Sequence, residues 1–139
     1  MNAPLYTIEI LRLAASLPDP ETLERVDGSA RERSLTCGST VATDVQLADG
    51  RVEALSQQVS ACAFGQASAA LVAKNAVDRS SEEVEVALTN LSDWLAGESD
   101  GPGDWPEMTT LTPARSRKSR HAAILLPFRA LLAAIGSAK

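Results

Sequence analysis

The sequence predicts an α+β fold in which a small antiparallel sheet of about three strands packs against helices on one side. Apolar and polar residues alternate on both sides of Asp49-Gly50, a pattern typical of a β-hairpin. After residue 62 the apolar spacing changes to the period of amphipathic helices, so the C-terminal half is expected to be helical. The 139 residues suit one domain, 1–139, without a second unit.

The N-terminal half supplies one helix and the sheet. Residues 6–17 form a short amphipathic pattern that ends at Pro-Asp-Pro, and this predicts the first helix. Alternating residues at 41–47 and the segment 52–59 predict the two strands of the hairpin. A further strand is expected between residues 23 and 35, which gives a sheet of about three strands.

Three more helices are expected in the C-terminal half. The segment 64–77 is rich in alanine, which favours helix and lets another backbone approach closely. Ser80 and Glu83 form a capping box that opens the next helix, and the segment 97–106 reads as a loop. Proline costs about 3 kcal/mol in a helix interior and little in the first turn. Pro127 therefore predicts that the last helix begins near residues 123–124.

Composition excludes several functional classes. A net charge of −5 argues against non-specific binding to nucleic acid, and no apolar stretch is long enough to span a membrane. Glu9 and Arg12 interrupt the N-terminal apolar run, which carries no leading basic residue and therefore does not match a signal peptide. We therefore expect a cytoplasmic protein whose two cysteines are reduced.

The candidate reactive residues are Cys37, Cys62 and His121. Cys62 stands where a strand gives way to a helix, and the free N–H groups of a helix N-terminus favour a thiolate. Spacing alone leaves open whether the two cysteines are ordinary small residues or part of a metal or thiol site. His121, the only histidine, is either a solvated surface residue or a third metal ligand.

A basic run precedes His121. It is either a solvated patch or a docking surface for an acidic partner. The residues of the run are Arg115, Arg117, Lys118 and Arg120.

No nucleophile elbow, P-loop or dinucleotide fingerprint is present in the sequence.

Three motifs occur in the order found in one family. The strings are "TCGS" around Cys37, "CAFGQASAALV" from Cys62, and "RHAAILLPFRALLAAI" from Arg120. Together they resemble the IscU/NifU-type iron–sulfur cluster assembly scaffolds, closest to the SufU branch. In that family's third motif an arginine or lysine precedes a cysteine by a few residues. The resemblance implies a scaffold that binds an iron–sulfur cluster or zinc, with a cysteine desulfurase and recipient apoproteins as partners.

The chain departs from this pattern at two positions. Ala123 stands where the resemblance implies a third cysteine, and Ser39 stands where it implies an aspartate. The implied site is therefore degenerate, with Cys37 and Cys62 as its thiolates and His121 as a substitute ligand. The family's Pro-Pro-Lys chaperone-docking motif is also missing, so we do not expect a dedicated Hsp70 partner.

Three hypotheses follow, none of which makes the protein an enzyme in its own right. The first is a scaffold that holds a labile iron–sulfur cluster or metal ion. The second is a zinc-dependent acceptor of sulfur from a cysteine desulfurase. The third is a metal-free paralogue that docks partners through the basic run.

Overall fold

The computed structural model describes residues 6–36 and 38–138. Four α-helices and three strands follow one another as α1 (Ile8–Ala15), β1 (Gly28–Arg33), β2 (Thr40–Ala48), β3 (Arg51–Ser60), α2 (Ala63–Asn75), α3 (Ser81–Leu95) and α4 (His121–Gly136). Two 3₁₀ helices, Met108–Ser116 and Lys118–Arg120, lead into α4. The predicted α+β class is confirmed.

The sheet is antiparallel, in the order β1-β2-β3. Asp49 and Gly50 connect β2 to β3 with φ values of 53° and 76°, and positive φ at both central residues is typical of a type I′ hairpin turn. Ala48 pairs with Arg51 across this turn, and a bulge shifts the register between Gln46 and Leu47. The hairpin expected from the sequence is therefore present.

The helices cover one face of this sheet. Helix α4 contacts β1 and β2, and α2 contacts β3, while α1 packs on α2 and α3 packs on α4. The side chains of Val41, Thr43 and Val45 alternate along β2 and are almost fully buried. This alternation follows from the period of two in a strand that is buried on one face.

The last helix begins earlier than the sequence predicts. Helix α4 starts at His121, which makes Pro127 its seventh residue rather than a first-turn residue. Proline leaves the carbonyl of residue i−4, here Ala123, without its helical N–H donor and crowds it. A Cβ added at Gly65 would lie 3.3 Å from the Ala123 carbonyl oxygen, so the glycine leaves room for that carbonyl to tilt.

The segment before α4 also differs from expectation, because the sequence assigns no element to residues 108–116. The 3₁₀ helix there buries Met108, Leu111 and Ala114, which follow one another at a spacing of three. This spacing matches the three residues per turn of a 3₁₀ helix.

Among the described residues, no helix combines the length and apolar character needed to cross a membrane.

Candidate functional site

Three chain segments meet in one cleft with a volume of about 260 Å³. They are the turn before β2, the junction of β3 with α2, and the entry to α4. Each corresponds to one of the three motifs recognised in the sequence. The lining residues are Gly38, Ser39, Ser60, Ala61, Cys62, Ser119, Arg120 and Ala123.

Cys62 forms the N-terminal cap position of α2. Its backbone is extended, with φ −67° and ψ 174°, and its carbonyl accepts the Gln66 N–H at 2.9 Å. The side chain makes no capping hydrogen bond and is half-buried. The thiol is therefore free to take part in chemistry in the cleft.

Ala123 is the third residue of α4 and only 1 % exposed. It lies beside Gly65 of α2, since a Cβ added at Gly65 would lie 3.5 Å from the Ala123 Cβ and 2.7 Å from the Ala61 Cβ. Glycine avoids a clash with the Ala61 Cβ just before α2 and leaves the Ala123 carbonyl of α4 uncrowded. The contact brings the first turns of α2 and α4 together and places Cys62 and Ala123 in the same cleft.

The third wall is a tight turn between β1 and β2. The Gly38 N–H donates to the Ser34 carbonyl at 3.1 Å, and the Ser34 N–H donates to the Ser39 carbonyl at 2.9 Å. Gly38 has a φ of 73°, a left-handed conformation that glycine adopts readily. Cys37 lies outside the described residues, but its chain neighbour Gly38 and the buried Ser39 both line the cleft.

His121 points away from these walls. Its Nε2 lies 2.8 Å from the Ala114 carbonyl oxygen, and because a carbonyl only accepts, Nε2 carries the hydrogen in this arrangement. His121 is not among the residues that line the cleft. Its role as a metal ligand therefore stays a prediction, and it would require Nδ1 or a rotation of the ring.

The four residues of the basic run before His121 lie in three different environments. Arg115 is used inside the protein, where its Nε donates to the Trp94 carbonyl at 2.9 Å and its guanidinium lies 5.2 Å from the Trp94 ring centre. Arg117 and Lys118 are exposed. Arg120 lines the cleft, and within residues 6–36 and 38–138 no carboxylate forms an ion pair with it.

The part of the chain that the structure describes contains no cluster of three or more His, Cys, Asp or Glu side chains able to hold a metal ion. The described cleft offers one thiol, from Cys62, together with serine hydroxyls. Ala123 contributes a methyl group where the resemblance implies a thiolate. Any metal or cluster held here is therefore poor in protein ligands unless other donors join it.

Sequence reasoning did not anticipate Ser60, Ser119 or the position of Arg120 in the cleft. Small polar residues at element ends carry no pattern that marks them as site residues. For Arg120 a sequence signal exists, since the third motif carries a basic residue shortly before its cysteine position. The structure adds the observation that this arginine faces the same cleft as Cys62.

Comparison with solved structures identifies the class of protein as NifU-like N-terminal domains. A NifU-like protein (N-terminal part) from Brucella abortus matches with a TM-score of 0.89 and 31 % identity, over 96 % of this chain and 93 % of that one. At this identity and coverage the relationship extends beyond the fold. The chain belongs to the family of NifU-like N-terminal domains, which confirms the family predicted from the three motifs.

Two further structures share the fold at lower identity. A protein from Fervidobacterium islandicum AW-1, assigned as an iron–sulfur cluster assembly scaffold for the SUF system, matches with a TM-score of 0.84 and 16 % identity over 94 % of this chain and 96 % of that one. A hypothetical protein matches with a TM-score of 0.77 and 18 % identity over 93 % and 97 %. No family model and no curated protein sequence matches the chain.

Proposed function

We propose that this protein is a scaffold for iron–sulfur cluster assembly, in which the cluster is cargo rather than a resident cofactor. The observation that supports the proposal is the convergence of Ser39, Cys62 and Ala123, one from each motif, in a single cleft. Membership in the NifU-like family gives this convergence its chemical meaning. A scaffold of this kind performs no catalysis of its own and acts by holding and releasing its cargo.

Within this proposal the two cysteines have the central role. Thiolates are the preferred ligands of iron–sulfur clusters, and Cys62 brings a sulfur ligand to the cleft at the N-terminus of α2. Cys37 would supply the second from the turn that contains Gly38. With alanine at position 123, the site retains the cargo weakly, which suits transfer to a recipient apoprotein better than storage.

Zinc is the alternative cargo of the same site. A structural zinc site is worth about 10–16 kcal/mol in small peptides, with four protein ligands at distances of about 2.0–2.3 Å. A site with two thiolates would bind zinc considerably more weakly. His121 would have to break its hydrogen bond to Ala114 to offer Nε2 as a third ligand.

A second function, acceptance of sulfur from a cysteine desulfurase, is favoured by the uncapped thiol of Cys62. In this step the Cys62 thiolate attacks the outer sulfur of the desulfurase persulfide. A new S–S bond forms on Cys62, the S–S bond of the desulfurase breaks, and its cysteine leaves as a thiolate. One thiolate suffices for this chemistry, so it does not need the missing third ligand.

Anaerobic reconstitution with ferrous iron and sulfide tests the scaffold function, using protein purified without a histidine tag. We expect cluster absorption bands in the parent and their loss in both Cys62→Ser and Cys37→Ser. Circular dichroism of the two variants serves as the folding control. Absence of any bands in the parent, at every ratio of iron to protein, would contradict the scaffold function and favour the metal-free docking protein.

The sulfur-acceptor function has a separate readout. Incubation with a cysteine desulfurase and cysteine should place a persulfide on Cys62, detectable by mass spectrometry after alkylation. The same treatment of Cys62→Ser is the control. A protein that gains no mass while the desulfurase turns over in the same tube does not accept sulfur from it.

A further inference from the structure

A stretch of the chain that takes no part in the cleft carries most of the negative charge. Between residues 80 and 114 the sequence has eight Asp and Glu residues and no Lys or Arg. All 13 Lys and Arg residues lie outside this stretch, together with the other 10 of the 18 Asp and Glu residues. The net charge of −5 is therefore concentrated on helix α3 and on the loop that follows it.

The exposed side of α3 has the shape of a surface that packs against another helix. Glu82, Val86 and Asn90 follow one another at a spacing of four and form a ridge between two cavities, of about 280 and about 320 Å³. Helices pack together by fitting ridges of this spacing into grooves. Val86 on this ridge is 59 % exposed. We call the ridge and its two cavities the α3 surface.

Three carboxylates of the α3 surface have no partner in the described part of the protein. Glu82 and Glu85 on the helix and Asp104 in the loop line the cavities, and no ion pair or hydrogen bond among residues 6–36 and 38–138 involves them. The neighbouring Glu83 differs, because it pairs with Arg51. Free carboxylates on a surface of one charge sign attract a cationic partner and reject an anionic one.

One of the two cavities has a fixed aromatic wall. The Trp105 Nε1–H donates to the Leu71 carbonyl at 3.0 Å, and the ring of Trp105 meets that of Phe128 edge-on, with centres 5.1 Å apart. Gly103 lets the loop lie against α3, because a Cβ at this position would lie 2.8 Å from the Asn90 Cβ. A partner would therefore meet a preformed surface, which avoids the entropic cost of ordering it on binding.

We propose that the α3 surface docks a basic amphipathic helix of another protein. Lys or Arg side chains of this helix contact the free carboxylates, and an apolar side chain packs on Val86. The α3 surface and the cleft share no lining residue, so the partner binds whether or not the cleft holds cargo. The inference goes beyond the proposed function and does not depend on it.

A synthetic peptide serves as the probe, with two repeats of Lys-Leu-Ala-Lys-Lys-Leu-Ala and a fluorescein label. Its leucines recur at the spacing of one helix face. Fluorescence anisotropy measures its binding to the parent, which should weaken as salt is added, because salt screens charges at a surface. A second peptide with serine in place of leucine keeps the charge and should bind at least about 5-fold more weakly, because it lacks the apolar contact.

Variants of matched charge locate the binding site. Glu82→Gln combined with Glu85→Gln should weaken binding of the leucine peptide about 5-fold, because two surface ion pairs are lost. Asp19→Asn combined with Glu24→Gln removes the same charge from exposed positions outside the α3 surface and should weaken binding less than about 2-fold. Val86→Thr keeps the charge and the branched shape and should weaken binding about 3-fold. Circular dichroism verifies that each variant is folded.

The inference is wrong if the two double variants weaken binding equally, because the peptide then responds only to the net charge of the protein. It is also wrong if both peptides bind alike, because the ridge then makes no apolar contact. Sedimentation velocity tests the other occupant: a dimer of the parent that dissociates in the Glu82→Gln, Glu85→Gln variant would assign the α3 surface to a second copy of this chain. Cluster reconstitution of that variant should match the parent, so a failure of docking leaves the proposed function standing.

Discussion

Among the described residues the arginine of the cleft is unpaired, whereas the arginine at the junction of β3 with α3 is paired with a carboxylate. This junction is formed by Arg51 at the start of β3 and by Ser80 and Glu83 at the start of α3. At the junction, Nη1 of Arg51 lies 2.6 Å from Oε1 of Glu83, and the Glu83 carboxylate also accepts the Ser80 N–H. In the cleft, Arg120 has no carboxylate partner among the described residues. Helix α2 connects the two regions, starting after Cys62 and ending at Asn75, shortly before the junction.

The difference separates a charge that stabilises the fold from a charge that has no ion-pair partner within the described residues. At the junction the guanidinium of Arg51 and the Ser80 N–H lower the pKa of Glu83, so its charged form is favoured by folding. The cleft instead contains the Cys62 thiol, which makes no capping hydrogen bond, and Arg120, which has no ion-pair partner among the described residues.

The largest expected effect comes from the helix that joins the two regions. Ala67 is fully buried in α2, so Ala67→Leu should overpack the core and lower the free energy of unfolding by about 1–3 kcal/mol. Ala73→Leu, on the same helix at a half-buried position, is the matched control and should cost much less. Urea denaturation measures both. A cost for Ala67→Leu below a few tenths of a kcal/mol would contradict the close packing of α2.

The next effect concerns the cleft alone. Ala123→Cys should place a thiolate in the first turn of α4, where the helix dipole favours it by about 0.3–1 kcal/mol. Zinc affinity should rise at least about 10-fold, equivalent to about 1.4 kcal/mol. Competition with a chelator under anaerobic conditions measures the change. Equal affinities in variant and parent would show that position 123 does not face the metal.

A smaller effect is expected at the junction. Ser80→Ala removes the side chain that accepts the Glu83 N–H at 3.3 Å, and loss of such a cap costs about 0.5–2 kcal/mol. Ser81→Ala, one residue into α3, removes a hydroxyl without removing the cap. Thermal unfolding of the two variants should show the loss only at position 80. Zinc affinity of Ser80→Ala should equal that of the parent, because the junction takes no part in the cleft.

The smallest effect appears in the pH dependence of stability. Because the folded pKa of Glu83 lies below its unfolded value, this residue contributes stability above the unfolded pKa, and the contribution disappears as pH falls through the folded pKa. Glu83→Gln should therefore flatten the acid side of the stability profile. Arg51→Gln should flatten it in the same direction, because Arg51 is the main cause of the lowered pKa. If both variants show the same pH dependence of stability as the parent, the pair of Arg51 and Glu83 is not its source.

Features decided by neighbouring residues were predictable from the sequence. The Asp49-Gly50 turn and the Ser80–Glu83 capping box depend on local backbone chemistry, and both are present in the structure. The 3₁₀ helix before α4 was missed, because its three apolar residues at a spacing of three form too short a pattern to recognise around Pro113. The start of helix α4 was predicted two or three residues late, because local preference disfavours proline beyond the first turn and Pro127 is the seventh residue of this helix.

The site was predictable only in part, since spacing along the chain does not report which segments meet. The convergence of the three motifs was implied by the family resemblance rather than by residue patterns. The inward turn of Arg115 depends on the carbonyl of Trp94 in the last turn of α3, which accepts the Arg115 Nε–H in addition to the Gly97 N–H. This hydrogen bond joins residues 21 positions apart, so the sequence alone does not predict it.

The glycine at position 65 has a consequence for how ligand number can vary in this fold. On this side of the cleft, Gly65 of α2 faces the carbonyl oxygen and the Cβ of Ala123 in α4, atoms that are present whether residue 123 is alanine or cysteine. Exchanging these two residues therefore alters the donor atoms in the cleft and leaves the contacts between Gly65 and residue 123 in place. Two proteins of this shape can thus differ in the metals they retain while their backbones superpose, and metal content has to be measured chain by chain.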